Sequence, residues 1–227
     1  MQSITRVALF FAVACLVSTG YAAERFTNGD FEAGASVFGS DYSYNGVDNT
    51  LPGQFAVVSN PNSVHASWGI FDDHTIAGTL MMTANGSTTA GMALWRETVS
   101  VVPGADYTFS AWGASTFSSN PALLSFRAND VQFATLQLPA AVGLWTNGTT
   151  VVNAGAISSI EFEIVDLSID GFGNDLALDD ISLVGPVPVP EPCTGLLFAM
   201  ALFAPLARYR SLSRGFVLAK PCKKRQF

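Results

Sequence analysis

The sequence predicts an all-β domain, an antiparallel β-sandwich, and three observations carry that prediction. Between Glu24 and Val184, apolar and polar residues alternate with period two, as in Ile160-Glu161-Phe162-Glu163-Ile164. That alternation marks a strand with one buried face. Turn residues punctuate the runs: Val102-Pro103-Gly104-Ala105, Asn85-Gly86, Asn147-Gly148 and Gly171-Phe172-Gly173-Asn174. No window sustains the i, i+3, i+4, i+7 apolar spacing of an amphipathic helix. Many short strands with regular breaks pack as two sheets.

The elements follow in order. Residues 1–23 read as an export signal: Arg6 opens it, Val7-Ala8-Leu9-Phe10-Phe11 begins an uncharged apolar run, and small residues around Tyr21 place cleavage near Ala22 or Ala23. A buried first element, or a lipoprotein signal cut before Cys15, are the alternatives. The sandwich domain then covers 24–185, with strands expected at 54–58, 79–82, 93–101, 107–111, 123–127, 131–138, 149–152, 160–164 and 176–184. Cys15, Cys193 and Cys222 all fall outside it, so the domain has no internal disulfide. A domain of this length buries about 70% of its unfolded surface and needs no such staple. Residues 186–192 form a proline-rich linker unable to continue helix or inner strand. Residues 193–207 are an uncharged apolar run, read as a short transmembrane segment. At about 1.5 Å per residue, the run is shorter as a helix than the ~30 Å hydrocarbon core, so local thinning and snorkelling of Arg208 and Arg210 are required. Residues 208–227 are a basic tail expected on the cytoplasmic side, with the domain outside.

Charge divides the chain sharply. The domain holds seventeen of the eighteen acids against Arg25, Arg96 and Arg127, a net of −14, while the tail holds seven basic residues and no acid. A body this acidic repels a phosphate backbone, which excludes nucleic acid as its partner.

The carboxyl end resembles the PEP-CTERM sorting signal of exported bacterial proteins. Val189-Pro190-Glu191-Pro192 matches the V-P-E-P motif, followed by the expected apolar segment and arginines. The extension 216–227 departs from the usual stop. The resemblance implies a membrane-held intermediate recognised by an exosortase. The destination it implies is the cell envelope, outer surface or extracellular matrix of a bacterium that makes exopolysaccharide.

The domain itself resembles galactose-binding-like jelly rolls, a group that includes several carbohydrate-binding modules. Asn28-Gly29-Asp30-Phe31-Glu32 is similar to their first strand. Leu178-Asp179-Asp180-Ile181-Ser182-Leu183 matches the last, and Tyr107-Thr108-Phe109-Ser110-Ala111-Trp112 a middle one, preceded by Leu94-Trp95-Arg96-Glu97-Thr98-Val99. The resemblance implies that the first and last strands lie close, so that Glu32 and Asp179 supply oxygen ligands to a structural calcium ion. The alternative is a pair of acids hydrogen-bonded to backbone amides. Sugar binding calls for exposed aromatic rings beside hydroxyl partners. Trp112 points away from the face of Tyr107, Phe109 and Ala111 and leads, with Tyr44 and Trp68 in loop-rich stretches; Tyr42 could join them. Trp95 and Trp145 read as structural.

Catalysis has little support. His65 and His74 are the only histidines, and the Phe71-Asp72-Asp73-His74 stretch reads as an exposed loop. There is no nucleophile elbow, phosphate loop or dinucleotide fingerprint. The expectation is therefore an exported, non-enzymatic protein that binds polysaccharide. A ligand-free matrix component and a glycoside hydrolase are the rivals, and an ice-binding role lacks the regular Thr array it would use.

Overall fold

The computed structural model describes residues 21–188; residues 1–20, the Val189-Pro190-Glu191-Pro192 motif, the apolar run and the basic tail lie outside them. Eleven strands are formed: β1 (Ala22–Glu24), β2 (Ser43–Tyr44), β3 (Gln54–Val58), β4 (Met81–Asn85), β5 (Ala93–Ser100), β6 (Asp106–Ser115), β7 (Leu123–Ala128), β8 (Val131–Gln137), β9 (Thr146–Asn153), β10 (Ser159–Asp166) and β11 (Leu176–Pro186). One sheet runs β2-β3-β4-β11-β6-β9 with β1 also on β11, and the other runs β5-β10-β7-β8. Every named pair is antiparallel except β2 with β3. Among the described residues the one helical element is a 3₁₀ turn at Pro61–Ser63, and no helix is long and apolar enough to cross a membrane.

The inward faces of the two sheets meet in a phenylalanine-rich core. Tyr107, Phe109 and Ala111 of β6 point into it, as period two requires, opposite Trp95, Phe126 and Phe162. The Phe109 ring lies 4.9 Å from Phe126 and 5.9 Å from Phe162, and Phe26 meets Trp95 edge-on at 4.7 Å. These spacings suit offset or edge contacts between rings, which add to the burial of apolar area. Trp95 is fully buried, as its pattern predicts.

Three local expectations are corrected. Asn28-Gly29-Asp30-Phe31-Glu32 is no regular strand, because Asn28 and Phe31 both take positive φ, 60° and 56°. The Asn28 side chain closes this loop by accepting from the Ala33 N–H at 2.7 Å and donating to the Gly34 carbonyl at 2.8 Å. The loop still reaches β11, where the Gly29 carbonyl accepts from the Ile181 N–H, while Phe31 plugs the core. Second, Asn147-Gly148 is no turn but part of the first half of β9, paired with Trp112 and Ala111. Gly148 is there because a Cβ would stand 2.6 Å from the Phe126 ring; the glycine marks a close approach. Third, β4 begins at Met81 rather than Thr79, because the Thr79 and Leu80 N–H groups donate to the Glu32 carboxylate.

β1 ties the two ends of the domain together, pairing Ala22 with Pro186 and Glu24 with Val184. The Val102-Pro103-Gly104-Ala105 turn forms as predicted, with Gly104 at φ +76° and a 3.1 Å bond from the Ala105 N–H to the Val102 carbonyl.

Candidate functional site

The β11 edge brings several acids together. On one side of this strand the ladder passes from β4 at residues 176–178 to β1 at 184–186, and the stretch between is irregular, with Asp180 at φ 45°. In that stretch the Ile181 N–H donates to the Gly29 carbonyl and the Arg25 N–H to the Leu183 carbonyl, while the side chains of Asp179 and Asp180 hold the segment around His74. Asp179 is completely buried, and its carboxylate accepts from the N–H groups of His74 (2.8 Å), Thr75 (3.1 Å) and Asp180 (2.8 Å). Burial pushes this carboxyl up to about 6 despite those donors. Glu32 grips the same segment further along through Thr79 and Leu80, at 2.7 and 2.8 Å, and the two donors hold it below the usual carboxylate range. Glu32 and Asp179 thus clamp one loop from two ends through backbone amides.

A calcium ion between them was implied by the resemblance, and the geometry bears on its fit. Asp73 Oδ2 is buried without a hydrogen-bond partner, and burial together with Glu32 raises its pKa. A Cβ on Gly78 would stand 2.5 Å from Asp73 Oδ2 and 2.8 Å from Glu32 Oε1. An oxygen-lined point therefore exists at Glu32 and Asp73, a residue the resemblance did not single out. Among the described residues, no three His, Cys, Asp or Glu side chains stand at metal-holding spacing.

Trp112 faces outward from β6, as its alternation predicts, yet it is no bare platform. The His74 ring stacks on it at 3.8 Å and 19°, held by a 2.7 Å contact from Nδ1 to Asp180 Oδ2. Trp145 meets His74 edge-on at 5.8 Å and donates Nε1–H to the Asp72 carbonyl. The 71–74 stretch is therefore a packed flap rather than an exposed loop. Tyr44, on edge strand β2, is 58% exposed and touches Phe55 edge-on. Trp68 is only 3% exposed and belongs to a second small core with Ala56 and Val64; its place in a loop-rich stretch misled, because the loop folds back over β3. Tyr42 is buried too, its hydroxyl accepting from the Ser87 N–H.

A second candidate site lies at one end of the larger sheet. A cleft of about 200 Å³ opens where β4 and β6 end and β11 begins. Its polar wall carries Thr50, His65, Ser67, Asn85 and Asp175, and its apolar wall Pro52, Phe117 and Phe172. Phe172 is 65% exposed and meets Phe117 edge-on at 5.5 Å. Its flanking glycines hold φ of +64° and +89°, and a Cβ on Gly173 would strike the Ser119 carbonyl at 2.2 Å. This backbone admits little but glycine, and it holds the ring in water. Asn120 fixes the loop by donating to the Phe172 carbonyl at 3.0 Å.

Asp175 is positioned from behind. Trp68 Nε1–H donates to its Oδ2 at 3.0 Å and the Gly86 N–H to its Oδ1 at 3.2 Å, while burial pushes the carboxyl up against their pull. His65 stacks on Trp68 at 4.7 Å, and its Nδ1 is buried with no hydrogen-bond partner among the described residues. Trp68, expected in the site, is thus its support. Tyr44 and Trp112 are not among the lining residues, so the three predicted aromatics do not converge.

No family model and no curated protein matches the chain. Solved structures do. The arabinose-bound α-L-arabinofuranosidase MgGH51 matches at a TM-score of 0.53 and 14% identity, over 74% of this chain and 27% of that one. The N-terminal CBM22-1-CBM22-2 tandem domain of Paenibacillus barcinonensis Xyn10C matches at 0.50 and 15%, over 78% of this chain and about half (49%) of that one. The Stig cyclase Fisc from Fischerella sp. TAU matches at 0.50 and 14%, over 74% of this chain and 100% of that one. The fold is a β-sandwich jelly roll. At these identities the likeness speaks for the fold alone, since an enzyme of a different chemistry shares it.

Sequence reasoning missed Phe172, Phe117, Asp175 and Asn85. One signal was present: Gly171-Phe172-Gly173 sets a large apolar ring between two turn residues, where no core is available to it. The other three are recognisable only once five separate segments meet.

Proposed function

We propose that this chain is an exported, non-enzymatic protein whose jelly roll binds polysaccharide through the cleft at Phe172. One observation carries the reading: a solvent-exposed aromatic ring stands beside buried hydrogen-bonding groups, Asp175 and Asn85, in a single cleft. Sugars offer an apolar C–H face for stacking and hydroxyls for polar partners, and this pairing of surfaces matches them. Binding is favoured over glycoside hydrolysis because a glycosidase needs two carboxyl groups about the bond it cuts. Asp175 is the only carboxylate among the lining residues, and its oxygens already accept from Trp68 and Gly86.

Export and sorting complete the proposal. The Val189-Pro190-Glu191-Pro192 motif begins three residues after β11 ends, so an exosortase would meet it close to the folded domain. Calcium, if bound, would be held at the β11 edge by Glu32 and Asp73, with Asp179 ordering the loop between them.

The binding experiment is affinity electrophoresis of the purified chain through gels containing polysaccharide, with Phe172→Ala beside wild type. Retardation lost in the variant supports the cleft; retardation kept in full places the sugar site elsewhere. For sorting, replacing Pro190 and Glu191 by Ala in an exosortase-bearing host should leave the precursor in the membrane fraction. Normal release of the variant would remove the sorting assignment.

A further inference from the structure

Resting on the reading of the cleft as a sugar site, we infer that it takes the single terminal ring of a neutral glycan and rejects uronic-acid and sulfated chains. The first ground is size. About 200 Å³ lies below the ~300–1,000 Å³ usual for pockets that enclose a small molecule. There is one exposed ring in the lining, Phe172, with Phe117 set edge-on behind it. A cleft that accommodates a run of several sugars would need a row of platforms, and this one offers a single stacking place.

The second ground is charge. No Lys or Arg lines the cleft. The described residues hold three arginines and no lysine, and each arginine is engaged elsewhere. Arg25 donates to the Ser100 carbonyl, Arg96 is paired with Asp41, and Arg127 reaches Ser125 on β7. At the cleft's back stand Asp175 and, behind Asn174, Asp166, whose Oδ2 accepts from the Asn174 side chain at 2.9 Å. A carboxylate or sulfate on the ligand would enter against these acids and against a domain of net charge −14, with no Lys or Arg to receive it. Neutral hydroxyls meet no such barrier. They can donate to Asp175 and exchange hydrogen bonds with Asn85, Ser67 and Thr50.

The test uses the full chain, purified in detergent, in affinity electrophoresis against galactan, xylan, mannan and glucan, and against alginate and polygalacturonate. At least one neutral polymer should retard it, the acidic polymers should not, and Phe172→Ala should weaken the retardation about tenfold or more. The monosaccharide of the retarding polymer should compete nearly as well as its tetrasaccharide. Phe172-dependent retardation by alginate or polygalacturonate would overturn the charge selectivity and leave the sugar site standing. A tetrasaccharide that competes about tenfold better than the monosaccharide would overturn single-ring recognition. Failure of all six polymers to show Phe172-dependent retardation would bring down the sugar reading itself. Phe172 is exposed, so its variant should fold, and an unchanged circular dichroism melt checks that.

Discussion

Replacing Asp179 by Asn removes one negative charge and one acceptor from the most deeply buried acid of the β11 edge. The carboxylate accepts from three backbone N–H groups, at 2.8, 3.1 and 2.8 Å, and the Thr75 hydroxyl lies 3.3 Å from both oxygens. The asparagine has one acceptor oxygen, and its NH₂ must point at a donor that the carboxylate used to satisfy. At about 1.5–3 kcal/mol for each hydrogen bond to a charged group, losing one and facing a donor with a donor costs roughly 2–4 kcal/mol. For a domain of this size, about 2–4 °C of melting temperature accompanies each kcal/mol, so the midpoint should fall by roughly 5–15 °C. The assay is thermal unfolding by near-ultraviolet circular dichroism at neutral pH with chelator present. Because His74 is stacked on Trp112 and held beside this clamp, acrylamide should also quench tryptophan fluorescence more effectively in the variant. A melt within about 2 °C of wild type, with unchanged quenching, would refute the claim that Asp179 bears the loop.

Other outcomes follow from the same geometry. Burial raises Asp166 to about 6 against an ordinary 3.8. The folded state therefore binds this proton more tightly than the unfolded chain, and the associated stability is present at low pH and lost as pH rises through about 6. Melting temperature should climb by roughly 2–4 °C between pH 8 and pH 5 from this group, about 1 kcal/mol, and Asp166→Asn should flatten that slope; equal slopes in the two proteins would contradict it. Gly148→Ala should destabilise by about 1–3 kcal/mol in denaturant titrations, because its Cβ would stand 2.6 Å from the Phe126 ring. A neutral effect would mean that Phe126 can withdraw. If calcium binds at the β11 edge, adding it should raise the wild-type midpoint, and Glu32→Ala or Asp73→Ala should abolish the rise. The same midpoint in calcium and in chelator would dismiss the ion.

Nine strands were legible in the sequence, and β3 occupies the predicted residues from end to end. The sandwich was legible too, because burial of one face imposes period two on a strand wherever it lies. Asn28-Gly29-Asp30-Phe31-Glu32, which has no such period, was less legible. The resemblance to jelly rolls made it a strand, but positive φ at Asn28 and Phe31 bends the chain into a loop that still delivers Phe31 to the core. Asn147-Gly148 misled as well, since a glycine reads as a turn until the ring that needs its missing side chain is seen.

The site was less legible than the fold. Alternation alone turned Trp112 outward, but only the folded chain lays His74 over it. Loop composition made Trp68 a ligand residue, whereas the loop returns over β3 and buries the ring behind Asp175. The sequence by itself determined the fold class, the acidity of the domain and the V-P-E-P motif with its apolar run and basic tail, because each is a property of composition or local period. Only the tertiary structure decided where an exposed ring meets buried acceptors. The cleft at Phe172 draws on segments near residues 50, 66, 85, 117 and 173, and no local pattern records which distant segments a sheet end will bring together.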